Sequence, residues 1–297
     1  MKYILIIDAY GIIFRCFHAL PPLTNPEGIE VGALYGFMKI MMSLRKDFAD
    51  ATHLVVALDS GGKNFRHDIY HEYKANRPEA PENLLHQFAL VREAITCMNI
   101  SQIEAPGFEA DDIIASVVKI AKEQKIKCSI ISSDKDLMQL VDDSSQISIY
   151  DHMKKKIIKD IDVKEKFGVM PVQVSDLLAL TGDSSDNIPG AKGIGNKTAA
   201  ELLEQFGSLD RILSDYHLIK QNKRRQNIEE SIESIEISRR LVYLDNNLSN
   251  FDIEDLCKKE IDENILYNFL ARHGFKSLIP ANKLVWTYPR TSLFLVT

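Results

Sequence analysis

The alternation of strand-like and helix-like segments over roughly the first 160 residues constrains the fold more than any other feature. Four short apolar runs are the strand candidates: Tyr3–Ile7, Leu54–Leu58, Cys128–Ser132 and Ile147–Tyr150. Between them lie three segments with helical apolar spacing: Val31–Phe48, Asn83–Met98 and Ala110–Gln124. This alternation predicts an α/β fold with a mostly parallel central sheet flanked by helices.

The strand pattern stops after Pro171, and short helical patterns take its place. These are Val174–Leu180, Lys197–Gln205, Leu209–Leu213, Ile228–Leu241 and Glu263–His273. We therefore predict three regions: an α/β core over residues 1–170, a helical half over 171–280 packed against the sheet, and a tail over 281–297.

Several function classes are disfavoured by the composition. No apolar run approaches the roughly 18–20 residues that cross a bilayer, and the apolar start ends at Asp8, which indicates a strand and not a signal peptide. The four cysteines are far apart and form no CxxC pair, so we expect reduced thiols and a cytoplasmic protein with no membrane partner.

Acidic residues follow the predicted strands and open a predicted helix. Asp8 and Asp59 follow the first two strands, and SSDKD places two more acids after the third. The motif FEADD, at the start of a predicted helix, contributes three further acids. The candidates are therefore Asp8, Asp59, Glu109, Asp111, Asp112, Asp134 and Asp136. Because ligands of open α/β sheets lie at the carboxyl ends of the strands, these acids are expected to converge.

Each acid also has an ordinary structural interpretation. Asp134 could cap a helix over Lys135–Val141, and Glu109–Asp112 could complement a helix dipole. The repeated DxD, ExDD and DxxD patterns favour bound divalent cations, because the clustered charges would otherwise repel one another. Two cations roughly 3.5–4 Å apart are suited to phosphodiester hydrolysis, and oxygen ligands favour Mg²⁺ or Mn²⁺ over zinc.

The stretch GDSSDNIPGAKGIGNKTA, from Gly182 to Ala199, combines two kinds of chemistry. Asp183 and Asp186 lie on a Ser-rich turn that suits hard cations. Further along lie the glycines and first helical residues that suit a phosphate: Gly190, Gly193, Gly195, Lys197 and Thr198. With these nine acids counted as metal ligands, the other 33 of 42 acidic residues face 36 Lys and Arg, so the net charge of −6 does not exclude nucleic acid.

Residues 61–81, which we call the arch segment, are polar, basic and aromatic. We expect this segment to project as an arch or mobile loop, because it has too few apolar residues to build a core. Its basic side chains could pair with phosphates and its aromatic rings could stack on bases, at about 1–3 kcal/mol per base. The alternative is a solvated helix with inward aromatics. The basic residues of the segment are Lys63, Arg66, Lys74 and Arg77, and its aromatic residues are Phe65, Tyr70 and Tyr73.

The chain resembles the 5′-nuclease domain of bacterial DNA polymerase I, within the flap endonuclease superfamily. The resemblance covers about residues 3–280 and rests on FHALPPLTNPEG, FRHDIYHEYKANRP, EADDIIA, SSDKDLMQLV and GDSSDNIPGAKGIGNKTA, in family order. It implies a PIN-like nuclease fold with a helical arch and a helix-hairpin-helix-like element near residues 182–206. No polymerase sequence follows residue 280 or so, which leaves a separate nuclease or a piece of a longer protein as alternatives.

The resemblance also implies roles for individual residues. Asp8, Asp59, Glu109, Asp111 and Asp112 match the family's first metal set; Asp134 and Asp136 follow, and Asp183 and Asp186 complete the second set. Tyr73 and Lys74 match positions that touch the base and the scissile phosphate, and Arg77 is basic there too. Residues 190–198 match the loop that grips the duplex backbone, often with a potassium ion.

The function that the resemblance implies is a Mg²⁺-dependent, structure-selective 5′ nuclease. Its substrates would be DNA flaps and nicked duplexes, with RNA primers on DNA removed in replication and repair, near the nucleoid and beside a partner polymerase.

Three rivals stay open at this point. The first is a non-catalytic DNA-junction binder, and the second is a haloacid-dehalogenase-like phosphatase, which would need an Asp where Tyr10 stands. The third is a single-stranded RNA nuclease of the PIN fold, which would not need the GIGNKT loop.

Overall fold

The computed structural model describes residues 2–249 and 251–279. The predicted tail over 281–297 lies outside the described residues. The α/β fold is confirmed: six strands form one sheet in the order β3-β2-β1-β4-β5-β6, with β6 antiparallel and the others parallel. The strands are β1 Tyr3–Asp8, β2 His53–Leu58, β3 Ser101–Glu104, β4 Lys127–Ile131, β5 Ile147–Asp151 and β6 Lys156–Ile158.

The central strands are buried from end to end. Every residue of β1 and β2 is buried, as expected for parallel strands covered on both faces. This burial explains why continuous apolar runs predicted the central strands. The two strands that the sequence pattern missed, β3 and β6, form the edges of the sheet, and most of their residues are exposed or half-buried.

Twelve α-helices are described in these residues. They are α1 Ala9–Ala19, α2 Gly32–Asp47, α3 Phe65–Ile69, α4 Glu82–Cys97, α5 Ala110–Glu123, α6 Asp160–Phe167, α7 Val174–Thr181, α8 Asn196–Phe206, α9 Leu209–Ser214, α10 Asn222–Glu230, α11 Ile232–Val242 and α12 Glu263–Arg272. The segment predicted as one helix over Ile228–Leu241 is two helices, because the chain turns at Ser231, whose hydroxyl accepts a hydrogen bond from the Lys192 amide (3.2 Å). The predicted helix over Lys135–Val141 is a 3₁₀ turn, Asp136–Leu140.

The described chain divides into two compact units. Among the described residues, the first contains 2–12, 50–80, 101–249 and 251–258, and the second contains 13–49, 81–100 and 259–279. Within the first unit, helices beyond residue 170 share a core with the sheet. Leu177 and Leu178 of α7, for example, belong to the same buried cluster as Ile130 of β4.

Within the second unit, α2 and α4 are held together by a buried polar contact. The side-chain oxygen of Gln87 on α4 accepts hydrogen bonds from the amides of Ala33 (2.8 Å) and Leu34 (3.2 Å), and so satisfies two free donors at the start of α2. None of the helices within 2–249 and 251–279 has the length and apolar character required to span a bilayer.

Candidate metal and DNA-binding site

The strand order brings three of the acids to one edge of the sheet. Asp8 is the last residue of β1, Asp59 comes directly after β2, and Asp134 follows β4. Because β2, β1 and β4 are adjacent and parallel, all three acids lie at the carboxyl edge. This arrangement gives the predicted convergence a structural basis. Further acids lie at the start of α5, where Glu109 is the N-cap residue and Asp111 and Asp112 are in the first turn.

Asp8 is buried at the centre of this edge. Its carboxylate accepts hydrogen bonds from the Ser132 hydroxyl (2.8 Å) and the Gly11 amide (3.3 Å). The pKa of Asp8 is raised to about 6, mainly by burial and less by the charges of Asp134 and Asp59, while the hydrogen bonds from Ser132 and Gly11 act in the opposite direction. The site therefore resists negative charge in the absence of cations.

Asp111, in the first turn of α5, is close enough to the same carboxylates to be affected by their charges. Burial raises the pKa of Asp111 well above its usual range, and the charges of Asp134, Asp8, Glu109 and Asp59 add to this effect. Burial also raises the pKa of Asp59, although the Ala110 amide donates a hydrogen bond to its carboxylate (2.7 Å). These mutual effects define a first acid group: Asp8, Asp59, Asp111 and Asp134.

Asp112 points away from this group. Its two oxygens accept a bidentate pair of hydrogen bonds from the Arg66 guanidinium, both 2.8 Å, and others from the amides of Glu109 (3.0 Å) and Asp245 (2.9 Å). The carboxylate is fully buried and its acceptor sites are used within the protein. In this arrangement Arg66 occupies the place of a cation, which does not favour Asp112 as a metal ligand; the predicted ligand role stays a prediction.

Arg66 has a structural position as well. It is only 1% exposed, and it also donates to the carbonyls of Leu241 (2.9 Å) and Tyr243 (2.8 Å). Its donors are directed into the protein, which does not favour the predicted contact with DNA; that contact stays a prediction. The paired charges tie α3 to α5 and to the end of α11.

Glu109 links the acids to the arch segment. Its carboxylate accepts hydrogen bonds from Lys74 Nζ (2.6 Å), the Asn64 amide group (2.8 Å) and the Tyr73 hydroxyl (3.1 Å). Although burial acts in the opposite direction, Lys74 and Arg66 lower the pKa of Glu109. Glu109 is therefore charged at neutral pH without a bound metal.

The remaining acids form a second group: Asp136, Asp183 and Asp186. Asp183 pairs with Lys135 Nζ (2.7 Å) and accepts two hydrogen bonds from Ser185. The pKa of Asp136 is raised to about 7, mainly by burial and also by the charges of Asp134, Asp183 and Asp186, while Lys135 acts in the opposite direction. Oxygen Oδ1 of Asp136 is buried and has no hydrogen-bond partner.

The arch segment docks on the turn that carries this second group. The Lys74 amide donates to the Asp186 carbonyl (2.9 Å), Asn76 donates to the Ser184 carbonyl (2.6 Å), and Asn187 donates to the Glu72 carbonyl (2.7 Å). Lys74 and Asn187 both adopt positive φ, 56° each, a strained conformation for non-glycine residues. The interlocking contacts hold this strain in place.

Lys74, Arg77 and Tyr73 of the arch segment differ from one another in exposure and in partners. Lys74 Nζ lies 2.6 Å from Glu109 and 3.8 Å from Asp186, and the half-exposed Arg77 forms an ion pair with Asp186. Tyr73 is only 3% exposed. Its ring therefore lacks, in this arrangement, the free face that the predicted stacking on a base requires. The segment thus supplies two cations between the two acid groups.

The glycine-rich loop presents an exposed helix start. Gly193, Gly195 and Lys197 are exposed, Thr198 is half-buried, and α8 begins after Gly195 with no side-chain cap. Its first amides are thus available to an anion such as a phosphate. Gly190 differs from the prediction, because it is buried, donates to Ser238 (2.8 Å) and has φ 61°, with no room for a Cβ beside Gly182.

The donor set fits hard divalent cations. It consists of carboxylate oxygens, its members repel one another, and Asp136 contributes an unpartnered buried oxygen. No three of these carboxylates, within the residues that the structure describes, place their ligand oxygens all within 4.8 Å of one another. This spacing leaves room for waters between a divalent cation and the carboxylates.

These pKa shifts predict how stability depends on pH. Asp8 and Asp136 have pKa values of about 6 and about 7 in the folded protein, against about 3.9 in the unfolded chain. Each carboxyl group therefore contributes stability that is fully present below about pH 4 and is lost as the pH rises through the pKa of the folded state. Because Mg²⁺ binds the deprotonated form, we expect the stabilisation by Mg²⁺ over EDTA to increase by several degrees in Tm from pH 5 to pH 8. Thermal unfolding at four pH values tests this; an Mg²⁺ increment independent of pH would contradict it.

Comparison with known proteins agrees with this geometry. Residues 3–168 match the family profile described as "5′-3′ exonuclease, N-terminal resolvase-like domain", and residues 169–264 match "5′-3′ exonuclease, C-terminal SAM fold". The chain belongs to the 5′-3′ exonuclease family. The resemblance stated from the sequence motifs is thereby confirmed.

Relatives in this family are of two lengths. A 5′-3′ exonuclease of Aquifex aeolicus is 36% identical over 296 residues, which cover 99% of this chain and the whole of that protein. DNA polymerase I of Rhizobium leguminosarum is 45% identical over 284 residues, which cover 93% of this chain and 28% of the polymerase. The chain thus spans less than a third of the length of that polymerase.

Solved structures of 5′ nucleases share the fold. Bacteriophage T5 5′-exonuclease with bound divalent zinc ions is 25% identical, with a TM-score of 0.68 over 91% of this chain and 97% of that one. The catalytic core of Rad2 in complex with a DNA substrate is 17% identical, with a TM-score of 0.60 over 92% of this chain and 86% of that one. The latter likeness concerns the fold alone.

Several residues of the site were missed in the sequence. Ser132 and Asn64 hold Asp8 and Glu109, and Lys135 neutralises Asp183. Lys135 stands between two acids in SDKD, and this position alone could have marked it as part of the site. Ser132 and Asn64 each accept a hydrogen bond from an amide two residues further on, but nothing local marks either as part of the site, because the acidic partner of each is distant in sequence.

Proposed function

We propose that this chain is a Mg²⁺-dependent, structure-selective 5′ nuclease that hydrolyses DNA phosphodiesters at 5′ flaps and nicks. The observation that carries the proposal is the gathering of Asp8, Asp59, Asp111 and Asp134 at the carboxyl edge of three adjacent parallel strands, beside the cations of the arch segment. Removal of RNA primers and flaps in replication and repair, beside a DNA polymerase, would follow from that activity.

The two acid groups would hold the metal. Asp8, Asp59, Asp111 and Asp134 would hold one ion, and Asp136, Asp183 and Asp186 would hold a second, in each case partly through waters bound to the ion, with Mn²⁺ as a substitute for Mg²⁺. Bound divalent ions supply a hydroxide from water and stabilise the attacking and leaving oxygens. Glu109 and Asp112 take another part: Glu109 orients Lys74, and Asp112 fixes Arg66.

The chain's own cations and amides would position the DNA. Lys74 and Arg77 lie between the acid groups, where they would stabilise negative charge on the scissile phosphate. The exposed loop at Gly193–Thr198 would hold the duplex backbone through amides and Lys197, with a potassium ion as a further ligand of the loop. Such contacts position DNA without reading its sequence.

The direct test is cleavage of an end-labelled 5′ flap compared with linear single-stranded RNA, in Mg²⁺ and in EDTA. We expect cleavage of the flap near the single-strand/duplex junction, in Mg²⁺ only, with product length determined to the nucleotide. Preferred cleavage of RNA would favour a PIN-type ribonuclease, and flap binding without product would favour a junction-binding protein.

Replacing Lys74 tests the arch cations. Lys74→Ala is expected to lower the single-turnover rate of flap cleavage by about 100-fold or more, because it removes a charge aimed at the reacting phosphate. Lys119→Ala, on the outer part of α5 where Lys119 pairs with Asn247, serves as the control and should cleave at the wild-type rate. An unchanged rate in the Lys74 variant would exclude it from the reaction.

A further inference from the structure

Three side chains with metal-ligand atoms meet at the opposite end of β2 from the acids. His53 begins β2, Glu254 lies in the 3₁₀ turn Ile253–Leu256, and Cys257 follows that turn. One ligand atom from each lies within 4.8 Å of the other two. Nε2 of His53 is 3.5 Å from Sγ of Cys257, which is 4.0 Å from Oε2 of Glu254.

Backbone contacts hold these three residues together without any ion. His53 and Cys257 form an antiparallel β-bridge, and the next amide, of Lys258, donates to the Thr52 carbonyl (2.8 Å). The turn is capped by Asp252, which accepts from the Glu254 amide (3.0 Å). The geometry is therefore set by the fold, and binding would not require the segment to be ordered first.

The hydrogen bonds of Thr52 direct the free lone pair of His53 into the cluster. The Thr52 hydroxyl accepts from the Tyr3 amide (2.8 Å) and donates to the Tyr3 carbonyl (3.2 Å). Nδ1 of His53 lies 2.7 Å from this hydroxyl, and while the hydroxyl donates to the Tyr3 carbonyl it can accept a hydrogen bond from Nδ1, which is the tautomer that metal binding at Nε2 requires. Nε2 then presents its lone pair to Cys257, the tautomer and outer-shell support typical of metal-binding histidines.

We propose that His53, Glu254 and Cys257 form a zinc site, separate from the nuclease site. Nitrogen, sulfur and carboxylate ligands suit Zn²⁺, and a water would complete the tetrahedron. Binding would release the thiol proton of Cys257, and the thiolate and the carboxylate together would then neutralise the ion. Oε1 of Glu254 pairs with the exposed Lys2, which leaves Oε2 facing Cys257.

The position of the site indicates what the ion would do. Strand β2 runs from His53 to Leu58, and at about 3.3 Å per residue the site lies roughly 20 Å from Asp59. At that distance the ion cannot take part in the proposed cleavage. It would join the segment at 254–257 to the amino-terminal end of β2, residues about 200 positions apart in sequence. We therefore assign it a structural role.

The test uses the full chain with reduced thiols and measures alkylation of each cysteine by peptide mass spectrometry. Cys97 and Cys257 are both half-buried, so Cys97 is an internal control, while Cys16 and Cys128 are buried. We expect Zn²⁺ to slow alkylation of Cys257 by about ten-fold or more, to leave Cys97 unchanged, and Mg²⁺ to have no effect.

Variants separate a three-ligand site from binding to a thiol alone. Glu254→Gln, at an exposed position that the fold tolerates, and His53→Gln should weaken the protection by Zn²⁺, whereas Asp255→Asn, the neighbouring exposed acid, should retain it. Equal reactivity of Cys257 with and without Zn²⁺ would overturn the proposal and leave a plain thiol–imidazole hydrogen bond. Equal protection of Cys97, or protection unchanged in both Gln variants, would overturn it as well.

Discussion

Replacing Asp111 by asparagine is expected to reduce flap cleavage by roughly 10³-fold, about 4 kcal/mol of transition-state stabilisation. Asp111 is the acid on which the charges of Asp8, Asp59, Asp134 and Glu109 all act. Its removal should weaken Mg²⁺ binding at the first acid group while flap binding stays measurable. Single-turnover cleavage across a Mg²⁺ titration measures the effect.

The same variant should be more stable than wild type when no metal is present. Because burial and repulsion raise the pKa of Asp111, its charge destabilises the fold above the normal carboxyl range, and asparagine removes that charge. We expect a higher Tm in EDTA at pH 8 and a smaller increase on adding Mg²⁺. Glu123→Gln, an exposed acid at the other end of α5, is the matched control. A lower Tm in EDTA, with cleavage retained, would contradict the assignment.

The second large effect is on stability. Arg66→Met is expected to lower the free energy of unfolding by about 3–5 kcal/mol, because it leaves the fully buried charge of Asp112 without its partner. It also removes the hydrogen bonds to the Leu241 and Tyr243 carbonyls. Urea denaturation in EDTA measures this loss separately from any effect on metal or DNA.

Arg77→Met is the matched control within the same segment. The Arg77 side chain is 52% exposed, so solvent screens its ion pair with Asp186 and its removal should cost about 1 kcal/mol or less. Equal losses for both variants would show that burial does not distinguish the two arginines. As a further comparison, Asp112→Asn should lower stability but change Mg²⁺ affinity less than Asp111→Asn does.

The strands and helices that could be predicted were those whose local sequence pattern indicates burial. Continuous apolar runs predicted β1, β2, β4 and β5, and helical spacing predicted α2, α4 and α5 to within two residues. The edge strands β3 and β6 carry no such run, because only one of their residues in each case is buried. Their pairing comes from the neighbouring strand and not from their own sequence.

The site was predictable as a set of acids but not as a division of roles. Asp111 and Asp112 are adjacent in a DD pair, yet successive helical residues point in different directions, so one meets the acids and the other meets Arg66. No local feature of the sequence states which is which, since Arg66 is 46 residues away. The same holds for His53 and Cys257, whose pairing is produced by the fold alone.

Manganese anomalous diffraction from crystals of the protein tests most directly whether the strand-end acids share divalent cations. We expect an anomalous peak among Asp8, Asp59, Asp111 and Asp134, and a second beside Asp136, Asp183 and Asp186; the first should disappear in Asp111→Asn. Folded protein with Mn²⁺ bound only elsewhere, or with no ion among these carboxylates, would contradict the account.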